Sequence, residues 1–280
     1  SAEDFNADGK DDVIVGAPED DNVGSESGSA FIFFGGITGT KRADADADVI
    51  LNASAIGDGF GTSVASAGDF NGDGKDDVIV GAHEVGSDIG SAYIFFGGIT
   101  GTKRANTDAD VTLNGQNAGD EFGINVASAG DFNGDGKDDV IVGAPFDDNN
   151  SLTDSGSAFI FFGGITGTKT ADADADVILN GQSAGDEFGG SFISNGALKK
   201  KSIAAGDFNG DGTSDVIVGA SKDDNNSETN SGSAFVFFSS GAFPSITFSD
   251  TTSSQKENIT QVTIPVTLSK TSSSTVTINY

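Results

Sequence analysis

Short apolar runs, separated by glycine-rich polar stretches, recur along the chain, and none of them follows a helical period. In the most complete unit, small residues follow Phe60-Gly61. Apolar runs then span 78–82 and 91–98, and a final run spans 110–114. Runs of this length bounded by Gly, Asp and Asn are typical of β-strands. The pattern predicts an all-β protein with four strands in each repeat of about 60 residues.

The four strands of a unit differ in character. The second and third are apolar on both faces, which predicts that they are covered on both sides, as at 13–15, 31–34, 141–142 and 159–162. The first is built from small residues, and alternating acids at 44–48 and 172–176 precede the fourth. We interpret these acids as a solvated strand edge rather than as extra cation sites.

From the first strand of a unit to the fourth, small residues give way to apolar residues and then to acids. This order indicates a β-propeller of four-stranded antiparallel blades, with the first strand innermost. A β-helix is the main structural alternative, but its rungs are shorter than these repeats.

One nine-residue pattern occurs four times, at 4–12, 69–77, 131–139 and 207–215. Asp, Asn, Asp and Asp occupy positions one, three, five and nine, and Gly occupies position six. Oxygen-bearing side chains at alternate positions, a backbone carbonyl at position seven and a glycine at the bend are how a loop wraps calcium. Simple turn chemistry needs neither position one nor position nine. The pattern disfavours an EF-hand, which needs flanking helices and a Glu at position twelve, because position twelve here is an apolar residue in a predicted strand. The pattern predicts about one Ca²⁺ per repeat, four in total.

The overall charge narrows the possible partners. The chain has 280 residues, with 14 basic and 43 acidic side chains and a net charge of −29. Such a surface repels nucleic acid and anionic membranes, and it favours cations. Without cysteine there are no disulfides, no thiolate chemistry and no cysteine-ligated zinc. No apolar run is long enough to span a bilayer.

Two dipeptide landmarks accompany the metal loops: Phe-Gly at 60–61, 122–123 and 188–189, and Gly-Ala-Pro at 16–18 and 143–145. With these pieces, residues 1–241 resemble the FG-GAP repeat, the blade of the integrin α-subunit head and of many secreted bacterial proteins. The chain departs from the pattern at His83 and Ser221, which replace the proline.

The resemblance implies a calcium ion between the first and second strands of each blade. The ligands it implies in the first loop are Asp4, Asn6, Asp8, Asp12 and the carbonyl of Lys10. Their counterparts are Asp69, Asn71, Asp73, Lys75 and Asp77; Asp131, Asn133, Asp135, Lys137 and Asp139; and Asp207, Asn209, Asp211, Thr213 and Asp215.

Four further expectations concern the ends and the loops. The family usually has seven blades, so four metal loops favour a chain that is part of a larger propeller over one that closes with fewer blades. Residues 242–280 lack the glycine density of the repeats and resemble the opening strands of a Calx-β domain, as an incomplete segment. His83 is expected to be a surface loop residue rather than a catalytic base, and the lysines at 199–201 to lie in a solvated insertion.

The loops after Ala17, Ala82, Ala144 and Ala220 vary most between repeats. They are predicted to lie on the face opposite the calcium loops, and a regular scaffold with differing loops at one end is typical of recognition. We expect a noncatalytic, calcium-stabilised, extracellular propeller, secreted or at the cell surface, that serves adhesion or binds a protein or glycan ligand on that face. An accessory propeller of a larger secreted hydrolase and a calcium-dependent lectin remain alternatives. No nucleophile motif or phosphate-binding loop favours catalysis within this chain.

Overall fold

The computed structural model describes residues 1–149, 151–190, 202–224 and 229–239, and two short strands at 246–248 and 266–268. The protein is all-β, and four open sheets follow one another along the chain as blades 1 to 4. Blade 1 contains β1 (Val13–Ala17), β2 (Ser29–Phe33) and β3 (Val49–Asn52). Blade 2 contains β4 (Phe60–Gly68), β5 (Asp77–Ala82), β6 (Ser91–Phe95) and, after the added strand β7 (Gly101–Arg104), β8 (Val111–Asn114).

Blades 3 and 4 repeat this order. Blade 3 contains β9 (Asn125–Gly130), β10 (Asp139–Ala144), β11 (Ser157–Phe161) and, after the added strand β12 (Gly167–Thr170), β13 (Val177–Asn180). Blade 4 contains β14 (Ile203–Gly206), β15 (Asp215–Ala220) and β16 (Ser233–Phe237). The strands β17 (Ile246–Phe248) and β18 (Val266–Leu268) form a separate antiparallel pair. The predicted β-propeller blades are thus confirmed.

Apolar residues on both faces of the middle strands place the core between successive blades. Every residue of β5 and β10 is buried, because each strand has a sheet neighbour on either side and packs against the adjoining blades. The inner strands β4, β9 and β14 instead carry small residues. These strands line a cavity of about 420 Å³, with Ala65, Ala127 and Ala204 on its wall.

The Phe-Gly and Gly-Ala landmarks mark the closest approach between blades. Phe122 is fully buried, and its ring meets Phe159 and Phe161 edge-on at centroid distances of 5.7 and 6.4 Å. A Cβ added to Gly143 would lie 2.0 Å from the carbonyl oxygen of Gly189 in the next Phe-Gly pair. A side chain at Gly143 would therefore force neighbouring blades apart.

The structure adds elements that the sequence did not predict. Strands β7 and β12 run parallel to the outer strands β3 and β8, so a segment that follows the third strand of one repeat extends the sheet of the preceding blade. The described residues also contain four short turns: α1 (Ala43–Asp46), α2 (Val85–Asp88), α3 (Ala105–Asp108) and α4 (Ala171–Asp174). In α2, Gly86 and Ser87 have left-handed φ angles of 66° and 65°.

The alternating acids are exposed, as the interpretation of a solvated edge expects, but their placement on a strand is wrong. The acids at 44–46 and 172–174 lie in helical turns, and Asp46 and Asp48 accept the backbone N–H groups of Arg42 and Phe34, both at 2.8 Å. These carboxylates cap main-chain donors at the start of an outer strand.

Two further predictions are wrong. Val13 and Val15 are 46% and 48% exposed, because β1, unlike β5 and β10, is a sheet edge with no inner strand beside it among the residues that the structure describes. His83 is buried rather than at the surface, against Gly59 and within 3.3 Å of the Glu84 carboxylate. The lysines at 199–201, and the predicted Calx-β-like segment apart from β17 and β18, lie outside the described residues.

Candidate metal-binding loops

Each nine-residue loop ends at the start of the second strand of its blade. Loop 2 (69–77) joins β4 to β5, loop 3 (131–139) joins β9 to β10, and loop 4 (207–215) joins β14 to β15. Loop 1 (4–12) leads into β1. This is the place between first and second strands that the resemblance implies.

The position-one carboxylate folds each loop back on itself. In loop 2, Asp69 accepts the N–H of Asp73 at Oδ1 (2.8 Å) and that of Gly74 at Oδ2 (3.0 Å). The same two bonds reach Asp4, Asp131 and Asp207 in the other loops. The position-six glycine has a φ of +88° in loop 2, a left-handed conformation that explains why glycine recurs there.

The position-nine carboxylate closes the loop from the opposite side. Asp77 is fully buried and accepts the N–H of Gly97 at Oδ1 (2.8 Å) and that of Asn71 at Oδ2 (3.1 Å). Asp12, Asp139 and Asp215 are also buried and accept backbone N–H groups from the end of the third strand at 2.6 to 2.9 Å. The two end carboxylates of each loop are therefore fixed by the main chain.

Position three supplies an amide oxygen to the loop interior. Asn6, Asn133 and Asn209 accept the N–H of the residue two positions later at 2.7 to 2.8 Å. In loop 2, by contrast, the Oδ1 atom of Asn71 is buried without a hydrogen-bond partner. An unpaired buried oxygen is costly, and it would suit a ligand in this loop.

Position five lies at the exposed tip. Asp73 accepts the N–H of Lys75 at 3.0 Å, and its other oxygen lies 3.4 Å from the Lys75 ammonium. A hydrogen bond from Lys10 lowers the pKa of Asp8, and one from Thr213 lowers that of Asp211. Both carboxyls therefore favour the charged form.

The charges within a loop repel one another. Burial raises the pKa of Asp77 to about 7, and the charges of Asp73 and Asp69 add to the effect, although two backbone N–H groups oppose it. In loop 3, burial raises the pKa of Asp139 to about 6. A buried carboxylate beside two others is unfavourable unless a positive charge offsets it.

The donor set is made of oxygen atoms only, which is the chemistry that Ca²⁺ requires. Across the described part of the chain, no three acidic or imidazole side chains alone form a group that could hold an ion. Any ion in these loops would therefore also need the Asn amide and main-chain oxygens. Coordination by the predicted ligands, including the position-seven carbonyl, stays a prediction.

Position eight and the Gly-Gly pair after the third strand were not among the predicted site residues. Asp76 and Asp138, at position eight of loops 2 and 3, bond to the preceding loop. Gly97 and Gly163 donate to the position-nine carboxylates. Position eight is Asp in three of the four loops, and this repetition in the sequence could have identified it as a site residue.

The variable loops lie at the opposite ends of the second strands. Asp147 is buried there, and its Oδ2 atom has no hydrogen-bond partner. Burial is the main cause of the raised pKa of the nearby Asp120, and the charge of Asp147 adds to it. In blade 4, the Lys222 ammonium lies 2.5 Å from the carboxylate of Glu187. Acidic residues therefore occupy this face as well.

Together, the blades and their acidic hairpin loops define a protein of β-propeller repeats. The FG-GAP repeat family model matches residues 1–33, 60–95, 122–161 and 201–237. The chain belongs to the FG-GAP repeat family.

Several characterised proteins are similar over part of this chain. Phosphatidylinositol-glycan-specific phospholipase D from Bos taurus is 34% identical over 152 residues, which cover 51% of this chain and 18% of that protein. The corresponding enzyme from Rattus norvegicus is 32% identical over 129 residues, covering 44% and 14%. Integrin alpha-5 from Xenopus laevis is 28% identical over 153 residues, covering 51% and 14%. The match thus spans less than a fifth of each relative. Within the described residues, no helix has the length and apolar character needed to cross a membrane.

Proposed function

We propose that the chain is a noncatalytic, calcium-stabilised propeller domain of an extracellular protein, which binds a protein or glycan ligand through the variable loops opposite the calcium loops. The observation that carries the calcium assignment is an oxygen-only donor set, repeated four times around a buried position-nine carboxylate. In loop 2, burial raises the pKa of Asp77 and the charges of Asp73 and Asp69 add to the effect, and a bound calcium ion would offset both. An extracellular location fits because weak calcium sites fill where calcium is abundant.

Thermal unfolding with and without a chelator tests the calcium assignment. One ion at tenfold above its dissociation constant adds about 1.4 kcal/mol, so four sites would add about 5 to 6 kcal/mol. For a chain of this size, about 2 to 4 °C per kcal/mol gives a fall of at least about 10 °C on chelation. Calcium should restore the melting temperature, and magnesium should do so poorly because it demands tighter octahedral geometry. An unchanged melting curve would refute the assignment.

The ligand-binding face can be tested by exchanging its loops. Replacing residues 146–154 with the shorter blade 2 loop should abolish binding to a cell-surface or matrix extract without changing calcium affinity. The matched control changes the outer turn at 105–108, which should leave binding intact. Equal binding by both variants would argue against the assigned face.

The second candidate is an accessory propeller in a larger hydrolase, and the similarity to two phospholipases D favours it. On either proposal, this chain alone should not hydrolyse a phosphatidylinositol-glycan substrate. Turnover by the purified chain, retained after chromatography and lost on substitution of His83, would contradict a noncatalytic role.

A further inference from the structure

The position-eight carboxylates of loops 2 and 3 each connect their loop to the loop of the preceding blade. Asp76 of loop 2 accepts the N–H of Asp4 in loop 1 at 2.8 Å. Asp138 of loop 3 accepts the N–H of Asp69 in loop 2 at 2.9 Å. Asp4 and Asp69 are the position-one residues, so each bond ends on the residue whose own carboxylate closes the preceding loop.

A second connection runs through the Gly-Gly pair after the third strand. Gly163 donates to the position-nine carboxylate of loop 3 at 2.8 Å. The next residue, Gly164, donates to the carbonyl of Phe70, at position two of loop 2, at 2.7 Å. The same pair of bonds links blade 2 to loop 1 through Gly97 and Gly98. The C-terminal end of one loop is thus tied twice to the start of the loop before it, directly from position eight and through the Gly-Gly pair that bonds to position nine.

The fourth loop lacks the carboxylate bridge. Ser214 occupies position eight there, and its backbone N–H donates to the Asp131 carbonyl at 3.3 Å. Asp138 makes the corresponding main-chain bond to Asp69 at 3.4 Å, so the backbone register is the same. The two positions differ in the side chain that reaches the preceding loop.

We propose that Asp76 and Asp138 are positioning residues that make loops 1, 2 and 3 bind calcium cooperatively, while Ser214 leaves loop 4 weakly coupled. The inference rests on the proposed calcium function. Ordering of one loop by its ion fixes the position-eight side chain, which holds the main chain of the preceding loop in its closed form. The second ion then has less to order, and this is positive coupling.

Site-resolved calcium titration by NMR tests the coupling. The amide of each position-six glycine donates to the position-one carboxylate, so the signals of Gly9, Gly74, Gly136 and Gly212 report the four loops separately. Disabling loop 3 with Asp135→Asn should raise the calcium midpoint of loop 2 by about fivefold or more. With Asp138→Ser in the background, the same change should move that midpoint less than twofold.

Two further variants separate coupling from simple stability. Asp138→Asn keeps an oxygen that can accept the Asp69 N–H, so it should restore part of the coupling. Ser214→Asp should make the loop 3 midpoint sensitive to Asp211→Asn in loop 4. If Asp138 has only a structural role, Asp138→Ser should lower the melting temperature and leave the effect of Asp135→Asn on the loop 2 calcium midpoint unchanged.

The outcomes distinguish this inference from the function on which it rests. If no position-six glycine responds to calcium, the calcium function itself is wrong. If all four respond but loop 2 ignores the state of loop 3, or Asp138→Ser leaves the coupling intact, only the cooperative bridge is wrong. Failure of Ser214→Asp to create coupling would also count against the bridge.

Discussion

A substitution at the exposed tip of loop 2 separates calcium binding from turn formation. Asp73→Asn keeps the oxygen that accepts the Lys75 N–H and loses only a salt bridge at 3.4 Å between partly exposed groups. Exposed pairs of this kind contribute about 0 to 1 kcal/mol. The substitution also removes one of the charges that act on the buried Asp77 carboxylate. In chelator, the variant should therefore unfold within about 1 kcal/mol of the parent.

In calcium, the same variant should be clearly less stable. Loss of one charged ligand weakens the site, and each tenfold loss of affinity costs about 1.4 kcal/mol while the ion is in excess. That corresponds to a melting temperature about 3 to 6 °C lower.

The assay is thermal unfolding of parent and variant in calcium and in chelator, with Asp46→Asn as the control. Asp46 is exposed in the outer turn α1, so its substitution makes the same charge change away from the loops. The control should shift the melting temperature equally in both buffers. If Asp73→Asn also shifts it equally in both, the loop is a hydrogen-bonded turn and the calcium reasoning is refuted.

Two further predictions concern the other face and the blade interfaces. Burial raises the pKa of Asp120 to about 6, so the folded state holds its proton more tightly than the unfolded chain. Ionisation of this group therefore costs stability, and the cost develops as the pH rises from about 4 and is complete above about pH 6. Asp120→Asn should therefore stabilise the protein at pH 7 but not near pH 4. Asp108→Asn should instead destabilise the protein at pH 7, because the Arg104 N–H lowers the pKa of the Asp108 carboxyl. Equal pH profiles of the two variants in denaturant unfolding would contradict this reasoning. Phe122→Ala should cost about 3 to 5 kcal/mol because the ring is fully buried. Phe208→Ala, at a residue 51% exposed, should stay within about 0.5 kcal/mol, and similar losses at both positions would show that burial at the blade interface is not the cause.

Local patterns were sufficient for the elements whose environment is the same in every repeat. The apolar run at 78–82 predicted β5 because β-branched residues buried on both faces suit a covered strand. Strand β7 was missed because Gly101–Arg104 is largely exposed and polar, and its pairing partner β3 is about 50 residues earlier in the chain. His83 was misplaced because its burial depends on packing against Gly59, at the end of a different loop.

The candidate site was predictable within one loop but not between loops. The spacing of Asp, Asn and Gly identified the residues that close each hairpin, because those contacts lie within nine residues. The bond from Asp76 to Asp4 spans 72 residues, so it depends on how the blades stack. A repeated residue was visible at position eight, but its partner became evident only in three dimensions.

The distribution of the acids shows how a chain with a net charge of −29 accommodates a buried core. At the hairpins, the position-one and position-nine carboxylates accept main-chain N–H groups, which favour the charged form even where burial opposes it. These bonds do not neutralise the loop, and in loop 2 the charges of Asp73 and Asp69 still act on the buried Asp77 carboxyl. Four divalent ions would remove eight units of that charge at the points where it is most concentrated. The position-eight bridges connect loops 1, 2 and 3. Loss of one ion should therefore affect calcium binding most in the neighbouring loop, and should affect the face that carries Asp147 least.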